Sequence, residues 1–186
     1  MTGPDHDLPR ARLVFPDLVQ AHFDGACEPP RGGGIATYGY IVEGAGIFHE
    51  EHGLAVPPWS PRATNNVAEY VGATRALEWL VGQGFTGQVL LVGDSQLVIR
   101  QMEGEYEVKA EHLKAYHQHL SALASRFREV RFVWVPRSEN ARADALSELA
   151  LEEVRESAAR FRPLPRVEIV DGPGPAGSSD PDEPSE

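Results

Sequence analysis

The stretch Gln88-Val89-Leu90-Leu91-Val92-Gly93-Asp94-Ser95 limits this chain more than any other. A short, unbroken apolar run without polar alternation reads as a strand covered on both faces, which means a sheet with helices packed against it. The run ends on an acid, Asp94, and a short helical pattern, Ser95–Met102, follows directly. Three more acids sit at comparable places. Asp24 closes Ala21-His22-Phe23-Asp24-Gly25. Glu69 lies at the start of a long helical pattern in Thr64-Asn65-Asn66-Val67-Ala68-Glu69-Tyr70. Asp144 follows a third strand-like run, in Asn140-Ala141-Arg142-Ala143-Asp144. Carboxylates placed where strands end and helices begin can meet at one point of an α/β fold. Converging negative charge is costly unless a cation offsets it, and an all-oxygen donor set suits Mg²⁺ or Mn²⁺.

The other elements follow from periodicity and punctuation. Leu18–Phe23 reads as a strand, followed by a Gly/Pro-rich turn from Gly25 to Gly34. Ile35–Val42 and Gly46–Leu54 read as a hairpin with Gly44 and Gly46 near its turn. Pro57, Pro58 and Pro61 mark a loop. From Val67, apolar residues recur at Tyr70, Val71, Thr74, Leu77, Leu80 and Val81 until Gly82 and Gly84 stop the helix. Lys109–Arg126 reads as a helix, Glu129–Val135 as a strand ended by Pro136, and Ala141–Arg160 as a last helix. Strands first and strands alternating with helices afterwards predict a mixed sheet. Residues 1–16 are expected to form a flexible lead, 17–162 a single domain and 163–186 an extension. In that extension Arg166–Val170 can add a small strand, and the Pro/Gly-rich acidic tail from about 171 is expected to be disordered. Tyr38, Tyr40, Trp79 and Trp134 are core candidates.

At 186 residues, 41% hydrophobic and 24% charged, the chain can bury one ordinary core. Its single cysteine, Cys27, excludes an internal disulfide and fits a reducing, cytoplasmic setting. No run approaches the roughly 20 apolar residues of a membrane span. The net charge of −11 opposes a nucleic-acid partner at first sight. However, residues 171–186 hold five acids and no Lys or Arg, so residues 1–170 carry −6. Fifteen of the seventeen basic residues are Arg, the better side chain for bidentate phosphate contacts.

Taken in order, Phe-Asp-Gly-Ala-Cys-Glu-Pro (23–29), Thr-Asn-Asn-Val-Ala-Glu-Tyr (64–70), Gly-Asp-Ser-Gln-Leu-Val (93–98) and Trp-Val-Pro-Arg-Ser-Glu-Asn (134–140) with Ala143-Asp144 resemble type 1 ribonuclease H. The likeness is to the short archaeal and bacterial form without a basic protrusion, over roughly residues 18–155. It implies a ribonuclease H-like α/β fold, a five-stranded mixed sheet flanked by helices. It also implies an endonuclease; no protein partner or membrane is implied, and a monomer is expected. Such an enzyme cuts the RNA strand of an RNA–DNA hybrid, leaving 5′-phosphate and 3′-hydroxyl ends.

By that resemblance Asp24 bridges two Mg²⁺ ions (Mn²⁺ as a substitute), Asp144 helps hold the ion that activates water, and Glu69 and Asp94 hold the other. Two such ions can generate the nucleophile and stabilise the leaving oxygen of an in-line displacement. Asn65 and Asn66 match the family's readers of the RNA 2′-hydroxyl, which both donates and accepts hydrogen bonds. Gln96 matches a polar position facing the groove. Gly25, Ala26, Cys27, Arg137 and Asn140 complete the expected substrate contacts.

The chain departs from the family pattern in three places. Pro29-Pro30-Arg31-Gly32 stands where many relatives have Asn-Pro-Gly. Glu103-Gly104-Glu105-Tyr106 replaces a basic helix and loop. Pro136-Arg137-Ser138-Glu139 lacks the His that often moves a proton there.

Taken singly, each acid has an ordinary explanation. Asp24-Gly25 is a turn pair, Asn66 with Glu69 a capping box, Asp94 a helix cap and Asp144 a solvent-facing residue. Their joint order and spacing outweigh these readings. His112, His117 and His119 read as a solvated helix face rather than a metal site, because His117 and His119 point to different sides. Two rivals remain: a catalytically silent nucleic-acid-binding module, and another nuclease of the same fold such as a proofreading exonuclease or a transposase. The first need not keep four costly charges. The second resembles this chain less, since no further acid stands two residues after Asp24.

Overall fold

A computed structural model describes residues 17–30 and 33–160. The expected lead, the strand at Arg166–Val170 and the acidic tail lie outside the described residues, as does Arg31. The elements are β1 (Leu18–Glu28), β2 (Ile35–Gly44), β3 (Ile47–Leu54), α1 (Asn65–Gly82), β4 (Gln88–Gly93), α2 (Gln96–Met102), α3 (Glu111–Ala124), β5 (Glu129–Trp134), a 3₁₀ turn (Arg137–Glu139) and α4 (Ala141–Arg160). The five strands form one mixed sheet in the order β3-β2-β1-β4-β5. The first three are antiparallel neighbours, while β4 and β5 run parallel to β1. The expected mixed sheet is the observed one.

The layers follow from which faces are apolar. Helices α1, α2 and α3 bury Val67, Tyr70, Leu77, Leu80, Val98, Ile99, Leu113 and Leu120 against Phe23, Tyr40, Val89 and Leu91 of the sheet. Helix α4 covers the opposite face, over β1, β2 and β3. Its coverage stops short of β4. Leu90 is therefore only half-buried beside Leu18 and Arg131, while Val89 and Leu91 are fully covered. The run that reads as covered on both faces is thus fully covered on one.

Strand β1 continues past the predicted stop at Phe23 as far as Glu28. Asp24-Gly25 is mid-strand rather than a turn, because β2 pairs it throughout, with Asp24 opposite Gly39 and Gly25 opposite Tyr38. β4 accompanies β1 only from Leu18 to His22. Beyond His22 the two parallel strands separate, and the cleft described below opens at that divergence.

Glycines at this point let both helical layers approach the strands. A Cβ on Gly25 would lie 2.3 Å from the Glu69 backbone nitrogen in α1. A Cβ on Gly39 would lie 2.6 Å from the Ser147 nitrogen in α4. The β2–β3 connection has two residues in left-handed conformation, Ala45 (φ 50°) and Gly46 (φ 76°), as a tight hairpin matching the strand twist requires.

Helix starts are set by caps that the periodicity does not locate. α1 begins at Asn65, two residues before the predicted Val67, because Thr64 Oγ1 accepts from the Val67 nitrogen at 3.3 Å. α2 is capped by Ser95, whose Oγ accepts from the Val98 nitrogen at 3.4 Å. Neither an Asn66–Glu69 box nor Asp94 serves as a cap, so both acids are free for other work. Of the aromatic core candidates, Tyr38 and Tyr40 are buried, and Trp79 is half-buried, stacked on His49 at 4.2 Å. Trp134 is not core. It is exposed at the end of β5, and its Nε1 donates to the Asp94 carbonyl at 3.0 Å.

The glycines give a contrast to measure. Gly39→Ala should push α4 off β2 and destabilise the protein by about 1–3 kcal/mol, as overpacking does. Gly82→Ala, on a helix end with open space around it, should be neutral or stabilise by up to about 1 kcal/mol. Urea titrations of both variants check this. A neutral Gly39→Ala would mean that α4 is not seated as described.

Candidate active site

Each acid of the site arrives on a different element. Asp24 is on β1 just past the divergence, Asp94 immediately follows β4, Glu69 is in the second turn of α1, and Asp144 is in the first turn of α4. They line an open cleft of about 540 Å³ together with Gly25, Ala26, Cys27, Asn65, Gln96, Arg137 and Glu148. Within it, one ligand atom from each of Asp24, Glu69 and Asp94 lies within 4.8 Å of the others.

Such crowding shows in the acidities. The Asp24 carboxyl is pushed up to about 7, first by burial and then by the negative charges of Asp94 and Asp144, against a lowering hydrogen bond from Ser147. Glu69 is raised well above the usual carboxylate range, again first by burial and then by Asp24 and Asp94. Among the described residues its Oε2 is buried without a hydrogen-bond partner, while Oε1 meets only the Asn65 amide at 3.5 Å. Buried, mutually repelling oxygen donors with an unmatched acceptor fit a hard divalent cation well.

Asp144 stands apart from the other three. Sequence order predicts four converging carboxylates, but Asp144 is outside the close group. Its Oδ1 is 2.5 Å from Arg137 Nη2, and the same guanidinium reaches Glu148 Oε1 at 3.2 Å. A fixed cation therefore neutralises Asp144 locally, and the arrangement is three carboxylates plus an ion-paired fourth. The Asp144 charge in turn raises the Arg137 pKa above its ordinary value.

The expected substrate contacts divide. Gly25, Ala26, Cys27, Asn65, Gln96 and Arg137 all line the cleft. The Cys27 side chain is turned away from it, its thiol donating to the Ala63 carbonyl at 3.3 Å, and burial raises its pKa. Asn66 does not line the cleft. It borders a separate hollow with Leu97, Tyr106 and His112, because helical geometry turns neighbouring residues about 100° apart. Asn140 is no surface contact either. It is buried, and its Nδ2 donates to the Phe23 carbonyl at 2.8 Å and to Asp94 Oδ1 at 3.3 Å, tying β1 to the residue that follows β4.

Three supporting residues escaped the sequence reading: Ser147, which donates to Asp24 Oδ2, Glu148, which shares Arg137, and Trp134. The first two stand three and four residues after Asp144, so helical spacing could have found them. The histidines do not gather: His119 pairs with Glu78, and His117 meets the Gln101 carbonyl.

Comparison with known proteins agrees with this geometry. Residues 44–150 match a family model described as reverse transcriptase-like. A ribonuclease HI of Halobacterium salinarum is 38% identical over 146 residues, covering 76% of this chain and 69% of that protein. The chain belongs to the ribonuclease HI family. A bifunctional protein of Mycobacterium tuberculosis is 34% identical over 149 residues, 78% of this chain. The chain spans 41% of that relative's length.

Solved members of the family superpose well. The N-terminal RNase H domain of an M. tuberculosis protein, fused to maltose-binding protein, gives a TM-score of 0.68 at 34% identity, covering 76% of this chain and 98% of that one. LC11-RNase H1 in complex with an RNA/DNA hybrid gives 0.65 at 31% identity, covering 74% and 99%. The expected ribonuclease H fold is thus the observed one. Among the described residues no helix is long and apolar enough to cross a membrane.

The acidities predict a pH-dependent stability. Asp24 has a folded-state pKa of about 7 against an ordinary 3.8. A carboxyl raised by folding contributes stability that is full below the unfolded pKa and is lost as pH rises through the folded one, here on the order of 4 kcal/mol. Glu69 acts in the same direction. In chelator, Tm should fall between about pH 5 and about pH 8, and Mg²⁺ should raise it more at the higher pH. Asp24→Asn should flatten both trends. A wild-type Tm in chelator that stays level across this range would contradict the burial of these charges.

Proposed function

We propose that this chain is an endonuclease that hydrolyses the RNA strand of RNA–DNA hybrids with two divalent ions, leaving 5′-phosphate and 3′-hydroxyl ends, and that residues 17–162 form its domain. The observation that carries this is the close group of Asp24, Glu69 and Asp94 in a cleft that also presents Asn65. The relative bound to an RNA/DNA hybrid supports the choice of substrate.

Asp24, Glu69, Asp94 and Asp144 would hold the ions, with Mg²⁺ the preferred species and Mn²⁺ a substitute. When bound, these supply a more acidic attacking water and a stabilised leaving oxygen. The protein's own groups do the rest. Asn65 is exposed at the cleft beside Glu69 and offers an amide that can both donate to and accept from a ribose 2′-hydroxyl. Gln96 borders the same cleft beyond Asp94 and offers a second amide. Arg137 keeps its proton at any working pH, so it cannot serve as a base and acts as a fixed cation instead. Its guanidinium, already on Asp144 and Glu148, can also meet a phosphate oxygen of the scissile region. Trp134 and Asn140 hold the Asp94 segment in place from behind.

The decisive test is a labelled DNA duplex carrying an internal RNA stretch. Wild type with Mg²⁺ should cut within the RNA and nowhere else. Chelation should stop the reaction, and Ca²⁺, larger and looser in coordination, should not restore it. Asp24→Asn should abolish cleavage while binding the hybrid at near wild-type affinity. A loss of rate below about tenfold, roughly 1.4 kcal/mol of barrier, would remove Asp24 from the centre of the site. Hybrid binding without cleavage by the wild type would favour the silent-module reading.

A further inference from the structure

The hydroxyl beneath Asp24 has no assigned role. Ser147 is fully buried in α4, three residues after Asp144, and its Oγ donates to Asp24 Oδ2. Among the described residues no other side-chain N–H or hydroxyl hydrogen-bonds the Asp24 carboxylate. The donor is also held rigidly. The Ser147 carbonyl accepts from Thr37 Oγ1 of β2 at 2.8 Å, and its backbone nitrogen packs where only Gly39, lacking a Cβ, leaves room. The same hydroxyl lies 2.9 Å from the Asp144 carbonyl, so its single proton has an alternative acceptor one helical turn back. A charged carboxylate oxygen is the stronger acceptor of the two.

We propose that Ser147 is a positioning residue for divalent-cation binding: from its fixed place against β2 it takes one oxygen of Asp24 and so sets the plane in which the other faces Glu69 and Asp94. Groups behind metal ligands orient them in this way, and removing one typically lowers metal affinity by about 10- to 100-fold. The inference rests on Asp24 being a cation ligand, as proposed above, and does not depend on which nucleic acid is cut.

Calorimetric titration of Mn²⁺ into the full chain tests it, with Tm in chelator recorded in parallel. Ser147→Ala should raise the Mn²⁺ dissociation constant by about 10- to 100-fold while the protein still unfolds cooperatively. Ser147→Cys is nearly isosteric but a weak donor, and should lose about as much affinity with little change in packing. That pair separates the hydrogen bond from the volume.

Unchanged affinity in either folded variant overturns the proposal. So does tighter binding, which would mean that the hydroxyl competes with the cation for Oδ2. If both variants fail to fold, Ser147 is a packing residue and the proposal falls. A wild type that binds Mn²⁺ but cuts no hybrid would sink the proposed function and leave this inference standing. A wild type that binds no Mn²⁺ would sink both.

Discussion

The cost of bringing carboxylates together in a partly buried place governs the rest of this structure. Asp24 and Glu69 are both almost fully covered, and each stands in the field of Asp94. Left alone, such a group would open toward water, because ionised carboxylates lose several kcal/mol on desolvation. It stays closed because its members are bound to elements fixed by packing far from the site. β1 and β4 are locked in parallel register from Leu18 to His22 before they part. α1 is pressed onto β1 at Gly25, and α4 onto β2 at Gly39. The apolar core thus holds together a cluster that electrostatics alone would disperse.

The two sides of the cleft manage this charge differently. On the α4 wall, Asp144 has a permanent counterion in Arg137, shared with Glu148. On the floor, among the described residues, the donors to the carboxylates are neutral: a hydroxyl for Asp24 and the Asn140 amide for Asp94. Glu69 has less still, with one oxygen unpartnered. A neutral donor orients a carboxylate without cancelling its charge, which leaves the floor receptive to a cation. The Arg137 pair gives Asp144 a counterion, and Asp144 lies outside the close group. Arg137 gives the loop before α4 a fixed charge rather than a titrating one.

Much of this was legible in the sequence. The unbroken run ending at Asp94, the helix from Val67 and the order of the four acids were enough for the mixed sheet and the cleft's main residues, because these depend on local periodicity and on motif order. The misreadings were tertiary. Asp24-Gly25 has turn chemistry, yet β2 pairs it into a strand. Trp134 has the composition of core, yet α2 and α4 leave the end of β5 uncovered. Asn140 and Asn66 look like interchangeable polar contacts, but one is buried as a tie between strands and the other is rotated by its helix into a different hollow. No local pattern reports such directions. The pairing of Asp144 with Arg137 is likewise a matter of side-chain direction, which spacing along the chain does not encode.

The charge of the cleft also bears on how an acidic protein can take a polyanion. Among the described residues its lining holds five carboxylates, Asp24, Glu69, Asp94, Asp144 and Glu148, against one guanidinium, Arg137. Even with burial raising the pKa of Asp24 and Glu69, a phosphodiester backbone meets net repulsion from these carboxylates. Cations in the cleft would therefore be needed for approach as well as for chemistry, since a bound divalent ion reverses the local field. The coupling is reciprocal by thermodynamic necessity: whatever a cation adds to the affinity for a phosphate backbone, the backbone adds to the affinity for the cation. A site built with neutral donors under its ligands and no basic protrusion beside them depends on that coupling more than a strongly basic one does. The same features make the hydroxyl under Asp24 consequential, because the orientation of one carboxylate then affects both partners at once.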